Sequence, residues 1–303
     1  MRILVTGGAG FIASHIAERF VHDGHQVTVL DNLSHGKIRH IPPRVHFLQA
    51  ELASPEVEDL FKTLKPEIVC HHAAQIDVVT SMKQPLADAG TNILGTLALL
   101  LHCRNYGVQK FIYASSAAVY GTPMYLPIDE KHPVKPLSCY GISKHTPEHY
   151  IEAFSNLYGL DYTILRYANV YGPRQDPTGE GGVISIFLNK IERGEAPVIY
   201  GDGQQTRDFI YVKDIVSANA AALTRGSRQI LNVSCNQATS VLELLQLLAV
   251  LTGKTIVPAY KPALPGDILH SVLNNRAAIS ALNWSPEYSV PEGLKDTLTS
   301  QSG

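Results

Sequence analysis

Short apolar runs alternate with amphipathic segments along the first half of the chain. Six runs of strand length occur at residues 2–6, 26–30, 45–48, 67–71, 110–114 and 161–166. Segments with helical spacing lie between them, at residues 11–23, 55–64, 92–105 and 140–158. This alternation predicts an α/β fold with a Rossmann-type, doubly wound parallel sheet that carries helices on both faces.

The alternation ends after residue 166. A turn-rich segment at 172–182 leads to a helix at 183–193, a strand at 198–200 and helices near 214–224 and 240–252. We therefore expect two domains. Residues 1–166 form the Rossmann domain, which also receives residues 205–232, and residues 167–303 form a smaller C-terminal α/β lobe that binds the substrate.

Composition excludes several classes of protein. The 303 residues include 25 Lys and Arg against 27 Asp and Glu, without the basic excess of a nucleic-acid-binding protein. No uninterrupted apolar run reaches the ~18 residues that cross a bilayer, and the apolar run at the N-terminus is too short for a signal peptide. The four cysteines are scattered, and the adjacent His71 and His72 point to opposite faces of a strand. We expect a cytoplasmic protein that binds no metal, nucleic acid or membrane.

A glycine turn follows the first predicted strand. Gly7-x-x-Gly10-x-x-Ala13 joins that strand to a helix, and Asp31 follows the second strand. Glycines let the backbone approach a pyrophosphate, and the start of a helix offers free N–H groups to it. A carboxylate after the second strand accepts hydrogen bonds from an adenosine ribose and repels a 2′-phosphate. The pattern predicts an NAD site.

Tyr140 and Lys144 are four residues apart and share one face of a predicted helix. A nearby ammonium stabilises a phenolate and lowers the pKa of a tyrosine, which makes it a base for an alcohol. Ser116 follows the fifth strand, at the edge of a parallel sheet where ligands bind, and can hydrogen-bond the reacting oxygen.

Together these segments resemble the extended short-chain dehydrogenase/reductase family, specifically its nucleotide-sugar epimerases of the UDP-glucose 4-epimerase type. The resemblance extends from the N-terminus to about Trp284. Its motifs are the glycine turn, Asp31-Asn32-Leu33-Ser34, His72-Ala73-Ala74-Gln75, Asn92-x-x-Gly95-Thr96, residues 115–121, Tyr140-x-x-x-Lys144, residues 166–173, residues 201–209 and Pro265-Gly266-Asp267.

The resemblance implies an isomerase that performs NAD-dependent C4 epimerisation of a UDP-sugar through a transient 4-keto intermediate. Tyr140 would be the base, Lys144 its partner, and Ser116 the donor to the C4 oxygen. The implied cofactor-binding residues are Gly7, Gly10, Phe11, Ile12, Asp31, Asn32, Ser34, Glu51, Leu52, Ala73, Ala74, Gln75, Asn92, Ala114, Tyr140, Lys144 and Tyr167. The implied substrate-binding residues are Ser116, Tyr140, Asn169, Gly182, Val183, Arg207, Asp267 and Ser271.

Several positions depart from the family pattern or decide between its members. Ala117 and Ala118 replace the acid that sugar dehydratases and decarboxylases carry. Leu264 occupies the place of a phosphate-binding arginine, which leaves the nucleotide open, and the small Ser271 leaves room for an N-acetyl group at C2. For Arg207, a surface ion pair with Asp202 or Asp208 is the alternative to substrate binding.

Two other functions stay open at this point. One is a net NAD(P)-dependent reductase or dehydrogenase of a nucleotide-linked keto sugar. The other is a cofactor-binding regulatory protein without turnover, which the intact Ser116, Tyr140 and Lys144 argue against. The leucine-rich run at residues 97–101 and the helix at 140–158 predict a homodimer, as in the family's four-helix interface; burial within the monomer is the alternative.

Overall fold

A computed structural model describes residues 1–178, 182–263 and 267–301 of the chain. Its strands, in chain order, are β1 (Arg2–Thr6), β2 (Gln26–Asp31), β3 (His46–Gln49), β4 (Ile68–His71), β5 (Lys110–Ser116), β6 (Asp161–Tyr167), β7 (Asn169–Tyr171), β8 (Val198–Tyr200), β9 (Thr206–Tyr211), β10 (Gln229–Val233), β11 (Ala238–Ser240) and β12 (Ala259–Lys261).

The helices connect and cover these strands. They are α1 (Phe11–His22), α2 (Pro55–Leu64), α3 (Val78–Lys83), α4 (Pro85–Ala89), α5 (Gly95–Tyr106), α6 (Cys139–Tyr158), α7 (Val183–Glu192), α8 (Val212–Ala222), α9 (Val241–Thr252), α10 (Arg276–Leu282) and α11 (Val290–Gln301). A single π-helical turn, Gly90–Leu94, joins α4 to α5, and a 3₁₀ turn, Ala117–Val119, follows β5.

Seven strands form one parallel sheet in the order β3-β2-β1-β4-β5-β6-β10. Successive side chains of β1 point to opposite faces: Ile3 and Val5 pack in one apolar layer, and Leu4 packs in the other. Helices α1 and α8 contribute to the first layer, and α2, α5 and α6 to the second. The predicted doubly wound Rossmann-type sheet is confirmed.

A smaller lobe follows the sixth strand. It holds a three-stranded sheet, β11-β9-β7, a two-stranded sheet, β12-β8, and an apolar core to which α7, α9 and α11 contribute. The chain returns to the large sheet through β10, which pairs with β6 from Gln229 to Val233. The first residue of β7 lies two residues beyond β6, so the edge of the large sheet leads directly into the smaller lobe.

Sequence periodicity missed several short elements. Strands β7, β9, β10, β11 and β12 and helices α3, α4 and α10 were not predicted, because three- to seven-residue segments offer little periodic signal. Helix α11 has twelve residues but was not predicted either, because its sequence is mostly polar and contains a proline and a glycine. The predicted helix at 92–105 is α5 preceded by the π-helical turn. The helical run Pro85–Tyr106 has the length and hydropathy of a membrane span, but its Leu99, Leu100 and Cys103 are buried in the core beside β5 and α6.

Candidate active site

The turn after β1 has the geometry that the glycine pattern predicts. Gly7 has a φ of 69°, and a Cβ there would lie 2.7 Å from a backbone nitrogen of the loop after β4. Gly10 immediately precedes α1, which begins with Phe11 and Ile12. The N–H of Ser14 donates to the Gly10 carbonyl at 3.2 Å, so the N–H groups before it have no intrahelical acceptor. The turn is a ready anion site.

Asp31 lies against this turn. Its carboxylate accepts the N–H of Ala9 at 3.0 Å and that of Leu33 at 2.7 Å, which fixes the side chain beside the glycines. The neighbouring Asn32 donates to Glu51 at 3.0 Å and accepts the N–H of Ser34 at 2.9 Å. The predicted cofactor residues Asn32, Ser34 and Glu51 are thus joined by hydrogen bonds at the end of β2. Leu52, also predicted, is buried and contacts Gly95 instead.

The end of β4 is tied to β1 through His71. The Thr96 hydroxyl donates to a carbonyl one turn earlier, so it accepts from His71 Nε2 at 2.9 Å. This leaves His71 Nδ1 to accept from the Thr6 hydroxyl at 2.6 Å, while the Thr6 oxygen receives the N–H groups of His72 and Ala73. His71 is therefore a neutral structural residue, and burial holds its pKa well below the ordinary value.

A buried amide network leads from the loop after β4, which contains Ala73 and Ala74, to the start of α6. The N–H of Gln75 donates to Asn92 Oδ1 at 2.8 Å, and Asn92 Nδ2 donates to Ser143 Oγ at 2.9 Å. Ser143 donates in turn to the Tyr140 carbonyl at 3.1 Å. Asp88 accepts from both amides, so the predicted cofactor residues Gln75 and Asn92 also position the tyrosine helix.

Tyr140 and Lys144 lie on the first turns of α6. A Cβ on Gly141 would lie 2.7 Å from the Ala118 carbonyl, so glycine brings this helix against the 3₁₀ turn that Ser116 caps. The Lys144 ammonium lies 4.5 Å from the centroid of the Tyr113 ring. Burial lowers the pKa of Lys144 to about 7, against the raising effect of nearby carboxylates.

Tyr167 and Ser116 are register partners at the ends of β6 and β5. The Tyr167 hydroxyl accepts from Asn219 at 2.7 Å and lies 3.0 Å from His72 Nε2. Burial, together with the charge of Lys144, lowers the pKa of His72 to about 3, so this histidine is neutral at physiological pH. Ala114, two residues before Ser116, is buried in β5.

Sequence reasoning missed a buried ion pair behind these residues. Glu148, one turn beyond Lys144 on α6, receives two hydrogen bonds from Arg166 of β6, at 3.0 and 2.5 Å. Ser115 donates to the same carboxylate at 2.6 Å. The signal was present, because Arg166 follows the apolar Ile164 and Leu165 within a predicted strand, and a charged residue is almost never fully buried without a partner.

A cleft of about 240 Å³ opens between Tyr140 and the smaller lobe. It is lined by β7, the start of α7 and Phe209 of β9, and it brings together the predicted residues Asn169, Gly182 and Val183. Gly182 immediately precedes α7, and a Cβ there would lie 2.8 Å from the Gln175 amide nitrogen.

Arg207 lies two residues before Phe209 on β9, and alternate residues of a strand share a face. Its guanidinium forms an ion pair with Asp267 at 2.7 Å, and not with Asp202 or Asp208, the two partners weighed as the alternative to substrate binding. Asp208 is buried and instead accepts backbone N–H groups. The N–H of Ser271 donates to the carbonyl of Thr206 at 3.2 Å, next to Arg207. Leu264 lies outside the described residues.

No group of three or more His, Cys, Asp or Glu side chains in residues 1–178, 182–263 and 267–301 is arranged to hold a metal ion. The chemistry available in the described site is that of a tyrosine, a buried lysine, a serine and a glycine-lined anion cradle.

Comparison with known proteins agrees with this geometry. The family model for the NAD-dependent epimerase/dehydratase family matches residues 3–234. The chain belongs to that family. It is 39% identical over 305 residues to the UDP-glucose 4-epimerase of Mycolicibacterium smegmatis, an alignment that covers 98% of this chain and 97% of the relative.

Two solved structures also resemble this chain over nearly its whole length. The UDP-glucose 4-epimerase of Thermotoga maritima, crystallised with UDP-glucose, superposes on this chain with a TM-score of 0.97 at 44% sequence identity. The alignment covers 100% of this chain and 99% of that enzyme. The UDP-N-acetylglucosamine 4-epimerase of Methanobrevibacter ruminantium, in complex with UDP-N-acetylmuramic acid, superposes with a TM-score of 0.95 at 36% sequence identity. This alignment covers 99% of this chain and 98% of that enzyme.

Proposed function

We propose that this chain is an NAD-dependent UDP-sugar 4-epimerase. The observation that carries the proposal is the position of Tyr140, which lines the cleft and is followed one helical turn later by a buried lysine. The close relatives are UDP-sugar 4-epimerases, and the family is NAD-dependent. The enzyme is therefore an isomerase, and net reduction of a keto sugar is the less supported alternative.

The residues present fit NAD. Glycine at position 7 lets the turn pack against the backbone of His72 and Ala73, where a Cβ would not fit, and the N–H groups at the start of α1 remain available to a pyrophosphate. The Asp31 carboxylate accepts one N–H on each oxygen and retains further acceptor capacity for ribose hydroxyls. When bound, NAD supplies a reversible hydride acceptor. Gln75, Asn92, Lys144 and Tyr167 would hold its nicotinamide end.

In the proposed reaction Tyr140 takes the proton from the C4 hydroxyl as C4 gives up a hydride. It returns the proton to the same oxygen after the 4-keto sugar has turned over and C4 regains the hydride on its opposite face. The Lys144 ammonium stabilises the phenolate form of Tyr140, since an opposite charge within a few ångströms favours the ionised state. Ser116, at the end of β5, donates a hydrogen bond to the C4 oxygen. These three side chains hold and move one proton at one oxygen atom.

The smaller lobe would hold the nucleotide while the 4-keto sugar rotates. Arg207 would bind the diphosphate by charge-assisted hydrogen bonds, with Asn169, Gly182 and Val183 along the cleft and Asp267 and Ser271 close to Arg207. Tethering matters because the oxidised sugar must turn over without leaving the site. The proposed Rossmann domain consists of residues 1–166 and of α8 and β10 from the segment 205–232. The proposed substrate lobe is the remainder of residues 167–303 and includes β9 with Arg207.

An NMR time course tests the function. The protein is incubated with NAD and, in separate tubes, UDP-glucose, UDP-N-acetylglucosamine or UDP-glucuronate, and we expect the C4 epimer of at least one. Absorbance at the NADH band is expected to stay constant, since an epimerase consumes no cofactor. Net oxidation or reduction without an epimer would contradict the proposal.

Tyr140→Phe provides the matched control for the base. Loss of a positioned base slows a reaction about 10²–10⁴-fold, so we expect turnover to fall within that range while NAD stays bound. Near-normal turnover would refute the assignment of Tyr140.

We propose that the enzyme acts in the cytoplasm as a homodimer. Helices α5 and α6 and the turn before them expose large apolar side chains, namely Leu94, Leu101, Ile142, Tyr150 and Leu157. Such a patch is typical of a protein–protein interface. Light scattering after size-exclusion chromatography should give twice the chain mass, and a monomer at micromolar concentration would refute the dimer.

A further inference from the structure

Tyr140, Lys144 and Glu148 follow one another at intervals of four residues along a single face of α6. Lys144 and Glu148 are both buried. The proposed chemistry uses the first two residues of this series and assigns nothing to the third. A buried carboxylate one turn from a buried ammonium is a direct electrostatic neighbour, and low polarity strengthens its effect.

Glu148 is held in place from three elements. Arg166 of β6 donates two hydrogen bonds to it, Ser115 of β5 donates one at 2.6 Å, and His145 of α6 lies 3.1 Å away through Nδ1. Burial opposes ionisation of Glu148, but these three partners outweigh it and lower its pKa to about 2. The carboxylate is therefore ionised throughout the physiological range and has little freedom to move.

The pKa of Lys144 depends on neighbouring carboxylates. Burial favours its neutral form, and the groups that raise its pKa are the carboxylates of Glu148 and Asp88. Asp88 is held by the amides of Gln75 and Asn92. The other titratable groups around Lys144 are Tyr140 on its own helix, Tyr113 of β5 and the two neutral histidines at the end of β4, His71 and His72.

We propose that Glu148 is a positioning residue of the reaction, whose fixed carboxylate favours the protonated form of Lys144, one helical turn after Tyr140, and ties the tyrosine helix to the strand that carries Ser116. Arg166 acts through Glu148 by holding the carboxylate in this place. The proposal rests on the proposed roles of Tyr140 and Lys144, and it adds a residue that touches neither substrate nor cofactor.

The test measures the titration of Lys144 directly. The NAD-loaded protein is labelled with ¹³C at the lysine ε-carbons, and the Lys144 signal is identified by its loss in Lys144→Met. In Glu148→Gln we expect the titration midpoint of Lys144 to move down by about one pH unit or more, since nearby opposite charges shift a pKa by ~1–3 units. A midpoint within experimental error of the wild type would overturn the proposal.

Two further variants serve as controls. The first avoids unfolding caused by an unpaired buried charge, and the second shows whether removing any carboxylate from α6 changes the titration of Lys144. Glu148→Gln/Arg166→Gln leaves no unpaired guanidinium, and its Lys144 midpoint should also lie below that of the wild type because the same carboxylate is gone. An unchanged midpoint in this double variant would likewise overturn the proposal. Glu152→Gln, one turn further along α6 and partly exposed, is the matched control and should leave the midpoint unchanged.

Turnover provides the second readout. Glu148→Gln should lower kcat about tenfold with little change in KM, and the acid limb of its pH–rate profile should move to higher pH because Tyr140 loses part of its cationic support. An equal loss at every pH would assign Glu148 a purely structural role and overturn the proposal. The lysine titration reports on Glu148 even if the enzyme does not epimerise UDP-sugars, so failure of the proposed function remains distinguishable.

Discussion

Replacing Gly7 with alanine tests the cofactor cradle, and a second glycine provides its control. Gly7 and Gly24 flank α1, and both have left-handed backbone conformations, with φ of 69° and 81°. A Cβ at Gly7 would lie 2.7 and 2.9 Å from backbone atoms of Ala73 and 3.0 Å from the His72 carbonyl carbon, none of which belongs to a flexible side chain. A Cβ at Gly24 would meet no atom within 4 Å.

Both substitutions therefore lower the unfolding free energy through the backbone conformation, and only Gly7→Ala lowers it further through steric overlap. A left-handed conformation costs an L-residue about 1–2 kcal/mol, and this applies to both alanines. Overpacking against fixed backbone adds roughly 1–3 kcal/mol at Gly7 alone. We expect Gly24→Ala to lose about 1–2 kcal/mol of unfolding free energy, and Gly7→Ala about 2–5 kcal/mol.

Thermal unfolding with and without NAD measures both consequences. Saturation at 100 times the dissociation constant stabilises a protein by about 2.7 kcal/mol, so Gly24→Ala should show a clear rise in Tm with NAD. Gly7→Ala should show none at the same concentration, because the turn must move to relieve the contact with Ala73. If Gly7→Ala responds to NAD as Gly24→Ala does, the turn is not the pyrophosphate cradle.

Three further outcomes follow from the buried pair and the sugar pocket. Arg166→Met should lower the unfolding free energy by about 3–5 kcal/mol, because it leaves Glu148 as an uncompensated buried charge, whereas Glu148→Gln/Arg166→Met should be far less destabilised in the same urea titration. Folding lowers the pKa of Glu148 from 4.5 to about 2. The ionised carboxylate therefore stabilises the folded state fully above pH 4.5, and this contribution is lost as the pH falls towards 2. Tm should therefore fall more steeply across that range in the wild type than in the double variant, and parallel curves would contradict the shift. Ser271→Tyr should selectively abolish turnover of the N-acetylated sugar in the NMR assay, and an unchanged substrate preference would reject the assignment of Ser271 to the C2 pocket.

The features that the sequence predicts well are local ones. The glycine turn, the position of Asp31 and the shared face of Tyr140 and Lys144 each depend on residues that are close in the chain, and the structure places each as expected. The alternation of strands and helices in the first half is equally local, since each element carries its own periodicity. The family, the fold class and the epimerase reaction predicted from these segments are confirmed by the comparisons.

Contacts between distant segments could not be predicted. Arg207 pairs with Asp267, 60 residues away, because β9 and the segment around Ser271 lie side by side; the sequence offered only the nearer acids as partners. Strand β10 joins the large sheet beside β6 after a long excursion through the smaller lobe, and five residues with one interior asparagine give no sign of that pairing. Register between such segments is decided by tertiary packing, which no local pattern records.

The residues that break the hydrophobic pattern explain why the site lies where it does. Arg166 lies between the apolar Leu165 and Tyr167 in β6, and Lys144 and Glu148 occupy a helix face that packing alone would fill with apolar side chains. Each buried charge opposes folding unless another group compensates it, so their retention favours a chemical role. The Lys144 ammonium is the charge that the proposed base requires, and the ion pair behind it supplies a carboxylate that does not move. The groups that stabilise a buried charge of the active site thus contribute to the reaction as well as to the fold, and a titration of Lys144 distinguishes the two contributions.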